Sequence, residues 1–155
     1  IMVPKRIPAY GWTINLGNKA GMIVGLVIIL IVVALIGGLI FFSSKDIEYN
    51  FLDKKLEIKA PMYDRMLSYS DIEEIRLSDE KISAFRVNGY GGSEKSYGHF
   101  DVKGYGNTMY YCYNNIPQRI FIKVKGKYEK WYILNDKSLE KTQKIYNELK
   151  DRVKQ

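Results

Sequence analysis

A nucleophilic thiol needs a base or a positive charge beside it, so the single cysteine and single histidine of this 155-residue chain form the first pair to weigh. Cys112 lies in Tyr110-Tyr111-Cys112-Tyr113, and His99 lies between Gly98 and Phe100. Aromatic neighbours predict a buried, inert thiol without an activating charge. One cysteine excludes an internal disulfide. Zinc would need a second His, a Cys partner or an acidic cluster near His99, and a solvent-facing strand histidine is expected instead. Asp71, Glu73, Glu74, Asp79 and Glu80 could share a proton or hold a hard cation, but around a strand such charges are ordinarily solvated. Gly89, Gly91 and Gly92 lack the spacing of a dinucleotide or phosphate loop, and no helical pattern follows them. These residues predict no enzyme, no cofactor and no metal.

Basic residues offer binding chemistry. Lys54 and Lys55 fall in a hairpin turn, with Lys59 on the strand that follows. Lys123, Lys125, Lys127 and Lys130 form a second group, in which alternation puts Lys123 and Lys125 on the solvent face. A well-placed lysine contributes about 1 kcal/mol of attraction to anionic headgroups. An ordinary soluble face is the competing reading. Residues 1–19 carry +3 and the remainder +4 of the net +7, with mixed signs along nearly every stretch. That pattern argues against nucleic acid, whose binders concentrate their charge.

The elements that must position these residues divide at Ala20–Phe42, twenty-three residues without a charge. As a helix this run is about 35 Å long, enough for a hydrocarbon core of about 30 Å, and only a helix satisfies its own backbone there. The expected organisation is a juxtamembrane segment at 1–19, a transmembrane helix at 20–43 and one domain at 46–154 in a cell membrane. Tyr10 and Trp12 suit the headgroup layer. Gly17, Gly21 and Gly25, and then Ala34 and Gly38, repeat every fourth residue, the spacing through which a helix packs on a second copy. Lysine and arginine are nearly balanced about the helix, so its orientation stays open. The chain begins at Ile1 and not Met, which leads us to expect further sequence upstream.

Beyond the helix the apolar period becomes two. Ile47, Tyr49 and Phe51, then Leu56 and Ile58, predict a hairpin about Asp53-Lys54; a third strand is expected near Met62–Ser70 and another about Ile75 and Leu77. Ser78–Tyr97, with few apolar anchors and three glycines, reads as a long mobile loop. Its alternative is an edge strand anchored by Phe85 and Val87. Strands follow at 98–103, 108–113, 119–125 and 130–134, the last two as a hairpin. Leu139, Thr142, Ile145, Tyr146, Leu149 and Val153 then predict an amphipathic helix capped by Ser138. Antiparallel strands closed by one helix suggest a barrel or bent sandwich with the helix plugging an open edge.

This order resembles the bacterial pleckstrin-homology-like (PH-like) domain family. The stretches that carry the likeness are Phe85-Arg86-Val87-Asn88-Gly89-Tyr90-Gly91, Tyr97-Gly98-His99-Phe100, Tyr110-Tyr111-Cys112-Tyr113, Ile120-Phe121-Ile122, Trp131-Tyr132-Ile133 and Glu148-Leu149. The resemblance implies a membrane-anchored binding module that docks a protein partner or packs against other subunits. Direct anionic-lipid recognition is the alternative. In phosphoinositide-binding PH domains the first loop supplies basic ligands, and Lys54, Lys55 and Lys59 match that pattern in part. Val3-Pro4-Lys5-Arg6 and Gly11-Trp12-Thr13-Ile14-Asn15 also resemble a juxtamembrane motif of uncharacterised bacterial membrane proteins. Neither resemblance brings a catalytic set or a ligand identity.

Overall fold

The computed structural model describes residues 2–6, 9, 11–126 and 128–153, with Phe42 described for its backbone only. The chain divides into two compact units, Ile1–Ser44 and Lys45–Gln155.

In the first unit, β1 (Met2–Pro4) and β2 (Trp12–Ile14) pair antiparallel ahead of helix α1 (Lys19–Ser44). Asn18 caps α1, its Oδ1 accepting the Gly21 N–H at 2.7 Å. The stretch Lys19–Phe41 has a mean hydropathy of 3.3 and is long and apolar enough to cross a membrane. A Cβ on Gly21 would stand 1.8 Å from the Asn15 carbonyl oxygen, and one on Gly25 would stand 3.1 Å from Leu16 Cδ2. A Cβ on Gly17 would meet the Asn15 side chain at 3.0 Å. These glycines therefore admit the chain's own turn. A Cβ on Gly38 would meet open space, and Ala34 is exposed.

The second unit holds two sheets and a helix. β3 (Glu48–Phe51), β4 (Lys55–Lys59) and β5 (Arg65–Ser68) form an antiparallel three-stranded sheet. After a 3-10 turn at Tyr69–Asp71 come β6 (Ile72–Ser78), β7 (Ala84–Gly91), β8 (Lys95–Val102), β9 (Gly106–Tyr113), β10 (Arg119–Val124) and β11 (Trp131–Leu134). They make a six-stranded sheet in the order β6-β10-β11-β9-β8-β7. The β10–β11 hairpin returns β11 between β10 and β9, so β11 lies parallel to β9, with Trp131 opposite Thr108. Neither sheet closes on itself. The two sheets and the terminal helix α2 (Leu139–Val153) make a bent sandwich and not a closed barrel.

Alternation explains the core. Leu56, Ile58, Met109, Tyr111, Ile120, Ile122 and Leu134 bury one side of each strand in the main cluster, which α2 completes with Ile145 and Leu149. The opposite face of the large sheet is also dry: Phe100, Val102, Tyr110, Cys112, Phe121 and Ile133 form a second cluster. Tyr105 and Trp131 cover it, while the Arg76 guanidinium lies 4.8 Å from the Phe121 ring centroid. On α2, Thr142, Ile145 and Leu149 are buried, Tyr146 is half-buried and Leu139 is exposed. Ser138 Oγ accepts the Lys141 N–H at 3.2 Å, the expected cap.

The expected loop at 78–97 is replaced by β7 and the start of β8. Phe85 and Val87 do not anchor it, being 75% and 63% exposed. Backbone pairing holds β7 to β8, helped by Tyr90 stacked on Tyr97 at 5.1 Å. Gly89 and Gly98 face each other at positive φ, and a Cβ on either would strike the opposite backbone at 2.3 or 2.6 Å. These two glycines belong to a bent strand pair and not to a loop. A register shift between Arg86 and Asn88 marks a bulge in this edge strand, a feature that hinders pairing with another chain.

Candidate binding site

A groove of about 480 Å³ runs between β3 and α2. Ile47, Tyr49, Phe51 and Ile145 supply its apolar lining, while Lys141 and Lys144 stand along the helix side. β3 is an edge strand, paired among the described residues only with β4. The Leu52 N–H donates to the Lys55 carbonyl at 2.9 Å, so alternation makes Asn50–Glu57 and Glu48–Lys59 the hydrogen-bonded pairs. Tyr49 and Phe51 therefore turn their N–H and C=O groups away from β4, along the free edge that borders the groove.

The strand carrying that edge is pinned at both ends. The Tyr49 hydroxyl donates to the carbonyls of Asn135 at 2.8 Å and Tyr111 at 3.1 Å. Its burial pushes the phenol well above its ordinary range. Before β3, Asp46 meets Lys137 at 2.6 Å and Lys95 at 3.7 Å, and it accepts the Tyr113 hydroxyl at 3.2 Å. The Lys137 hydrogen bond holds the Asp46 carboxyl below the usual carboxylate range. Lys95, 3% exposed, also donates to the Lys45 carbonyl. Beyond β3, Arg152 donates to the Leu52 carbonyl at 3.1 Å and pairs with Glu148 at 2.8 Å.

The lysines singled out from the sequence are only partly gathered. The Tyr69 N–H donates to the Lys54 carbonyl, and Lys125 Nζ donates to the Ser70 carbonyl at 3.2 Å. The Lys54 backbone and the Lys125 side chain thus border the same 3-10 turn, and Lys54, Lys55 and Lys125 are exposed. Lys59 sits at the other end of β4 and pairs with Glu57 at 3.3 Å. Lys123 pairs with Glu73 at 3.1 Å. Lys127 lies outside the described residues.

Histidine and cysteine are kept apart by the large sheet. His99 is half-buried, with Nδ1 3.2 Å from Glu129 and Nε2 3.4 Å from Arg65. Cys112 is fully buried in the second cluster, where burial pushes its thiol up to about 12. No group of three His, Cys, Asp or Glu side chains able to hold a metal occurs among the described residues. Of the acidic stretch, Glu73 pairs with Lys123 and Glu80 with Arg76 at 3.0 Å.

A family model described as a bacterial PH domain matches residues 47–148, which include both sheets and most of α2. The chain belongs to the bacterial PH domain family. No curated protein and no solved structure matches it. PH domains are typically non-catalytic binding folds, and the groove and its edge strand fit such a role. Sequence reasoning about this PH domain fixed on its lysines and missed the groove. The signals for it were the alternating Ile47, Tyr49 and Phe51, together with Lys141 and Lys144 beside the apolar stripe of α2.

Proposed function

We propose that this PH domain docks a segment of a partner protein, and that α1 holds it at a bilayer. The observation that carries the reading is the groove beside the unpaired β3 edge, where apolar side chains and free backbone groups lie together. α1 supports the anchor: its 26 residues, uncharged after Lys19 and largely exposed, make a helix about 39 Å long. Protein docking is favoured over lipid capture because Lys59 and Lys123 are paired with this chain's own carboxylates.

A second reading, attraction to anionic lipid, draws on Lys54, Lys55 and Lys125 around the 3-10 turn. Co-sedimentation of residues 45–155, checked for folding by circular dichroism, separates the two. The piece should stay in solution with vesicles of phosphatidylcholine, with or without phosphatidylserine. Binding that requires phosphatidylserine, fades in high salt and is lost in Lys54→Glu/Lys55→Glu would establish the second reading instead.

A further inference from the structure

We propose that the β1–β2 hairpin is an interfacial element that lies in the headgroup layer at the start of α1 and gathers anionic phospholipid there. The inference rests on the reading of α1 as a membrane anchor and goes beyond it by naming the lipid the anchor prefers. Cross-strand partners in a hairpin share a face, and neighbours along a strand alternate. Met2 pairs with Ile14 and Pro4 with Trp12, so one face is wholly apolar, while Val3 and Thr13 take the other. Met2 is 59% and Trp12 64% exposed. A lone two-stranded hairpin is marginal in water at best, and an apolar face open to water makes it less favourable still. A headgroup layer removes that conflict, since it covers apolar side chains and suits the indole of Trp12.

The chain itself sets the depth. Asn15 and Leu16 fold back along α1: the Asn15 carbonyl lies against Gly21, and Leu16 Cδ2 lies against Gly25. Gly25 is six residues past Lys19, about 9 Å along the helix and inside its apolar stretch. β2 therefore ends beside the first turns of the span. Strands of three residues reach about 10 Å, which keeps Lys5 and Arg6 within a side chain's reach of the layer that Lys19 enters.

Charge selects the lipid. Residues 1–19 contain these three cations and no acidic residue. None of the three has an ion-pair partner among the described residues, whereas Lys59, Lys95, Lys123 and Lys137 of the second unit are each paired with a carboxylate. An anionic headgroup supplies the missing counter-charge; a zwitterionic one brings its own cation.

The test reads Trp12 fluorescence in the full chain carrying Trp131→Phe, reconstituted in phosphatidylcholine vesicles. Dibrominated lipid quenches an indole on contact. Replacing an equal minor share of the lipid with brominated phosphatidylcholine or brominated phosphatidylserine therefore compares the two at the hairpin. Both should quench, and phosphatidylserine should associate about fivefold more strongly, the factor for one well-placed cation at about 1 kcal/mol. Lys5→Gln/Arg6→Gln/Lys19→Gln should bring the two lipids level while quenching persists, and high salt should narrow the gap in the parent. Equal quenching by the two lipids in the parent, or a phosphatidylserine preference that survives the triple change, overturns the proposal. Quenching by neither lipid overturns it too, by leaving the hairpin out of the bilayer. Release of the chain from the vesicles by alkaline carbonate would overturn the anchoring reading itself, so the two failures are distinct. The co-sedimentation of residues 45–155 omits the hairpin, and its outcome is independent of both.

Discussion

Asn135→Asp changes one atom's chemistry at a fully buried position and should cost several kcal/mol without altering volume. The Asn135 side chain completes the sheet where regular pairing stops. Its Oδ1 accepts the Tyr113 N–H at 2.6 Å, and its Nδ2 donates to the carbonyls of Tyr113 and Ile116, both at 3.1 Å. An aspartic acid keeps the acceptor. Protonated, it offers one donor in place of two, a loss of about 1 kcal/mol. Ionised, it sets a buried negative charge against two carbonyl oxygens, which raises the cost to about 3–5 kcal/mol. The folded pKa is therefore raised above the unfolded value of about 3.9. Below pH 4 or so, stability relative to the parent is lowered only by that loss of about 1 kcal/mol. It then falls by about 1.4 kcal/mol per pH unit until the folded pKa is passed. Urea unfolding of residues 45–155, followed by Trp131 fluorescence at pH 4.5, 6 and 8 for both proteins, reads this difference. A gap that does not change with pH, or one below about 0.5 kcal/mol at pH 8, would refute the account of Asn135.

Leu149 is fully buried beneath α2, so Leu149→Ala should destabilise the domain by about 2–5 kcal/mol in the same urea assay; a change within about 0.5 kcal/mol would detach α2 from the core. Cys112, buried and with its thiol pushed up to about 12, should resist iodoacetamide at pH 8 and react readily in denaturant. Native alkylation as fast as that of a free thiol would contradict its burial. Gly21→Ala should displace the Asn15–Asn18 turn, seen as faster amide exchange at position 21, whereas Gly38→Ala should leave that turn unmoved. Equal responses to the two changes would remove the distinction drawn between these glycines.

The hairpins and the terminal helix were legible because their signals are local: alternation about Asp53-Lys54, a serine cap at Ser138, and apolar residues at three- and four-residue steps. β7 was not, because it is stabilised by what lies opposite it. Two of its large side chains, Phe85 and Val87, face solvent, a bulge breaks its alternation, and Gly89 serves a close backbone approach to β8. The second core cluster was hidden for a related reason. Phe121 stands between Ile120 and Ile122, so a strand buried on both faces shows no period to read. Cys112 was readable as buried because its flanking tyrosines are themselves core residues. The lysines were visible but their partners were not: the Glu73–Lys123 ion pair crosses from β6 to β10, a register that no single strand encodes.

Position in the hydrogen-bond network explains why the groove should be ready to bind. The Asn135 carbonyl receives the Tyr49 hydroxyl while its side chain holds Tyr113, whose own hydroxyl receives the Ile47 N–H at 3.3 Å and donates to Asp46. One chain of bonds thus joins the middle of β3, the end of β9 and the residues that precede β3. An edge strand held at Ile47, Tyr49 and Leu52 has little freedom left to lose when a segment pairs with it, so less of the interaction is offset by ordering. The same chain makes Asn135→Asp a probe of the groove as well as the core. Loosening the hold on Tyr113 should free β3, so that its amides exchange hydrogen faster at pH 8 even where the domain remains folded. If the β3 amides of the folded variant exchanged as slowly as those of the parent, β3 would owe its position to its pairing with β4 and to α2, and not to this network.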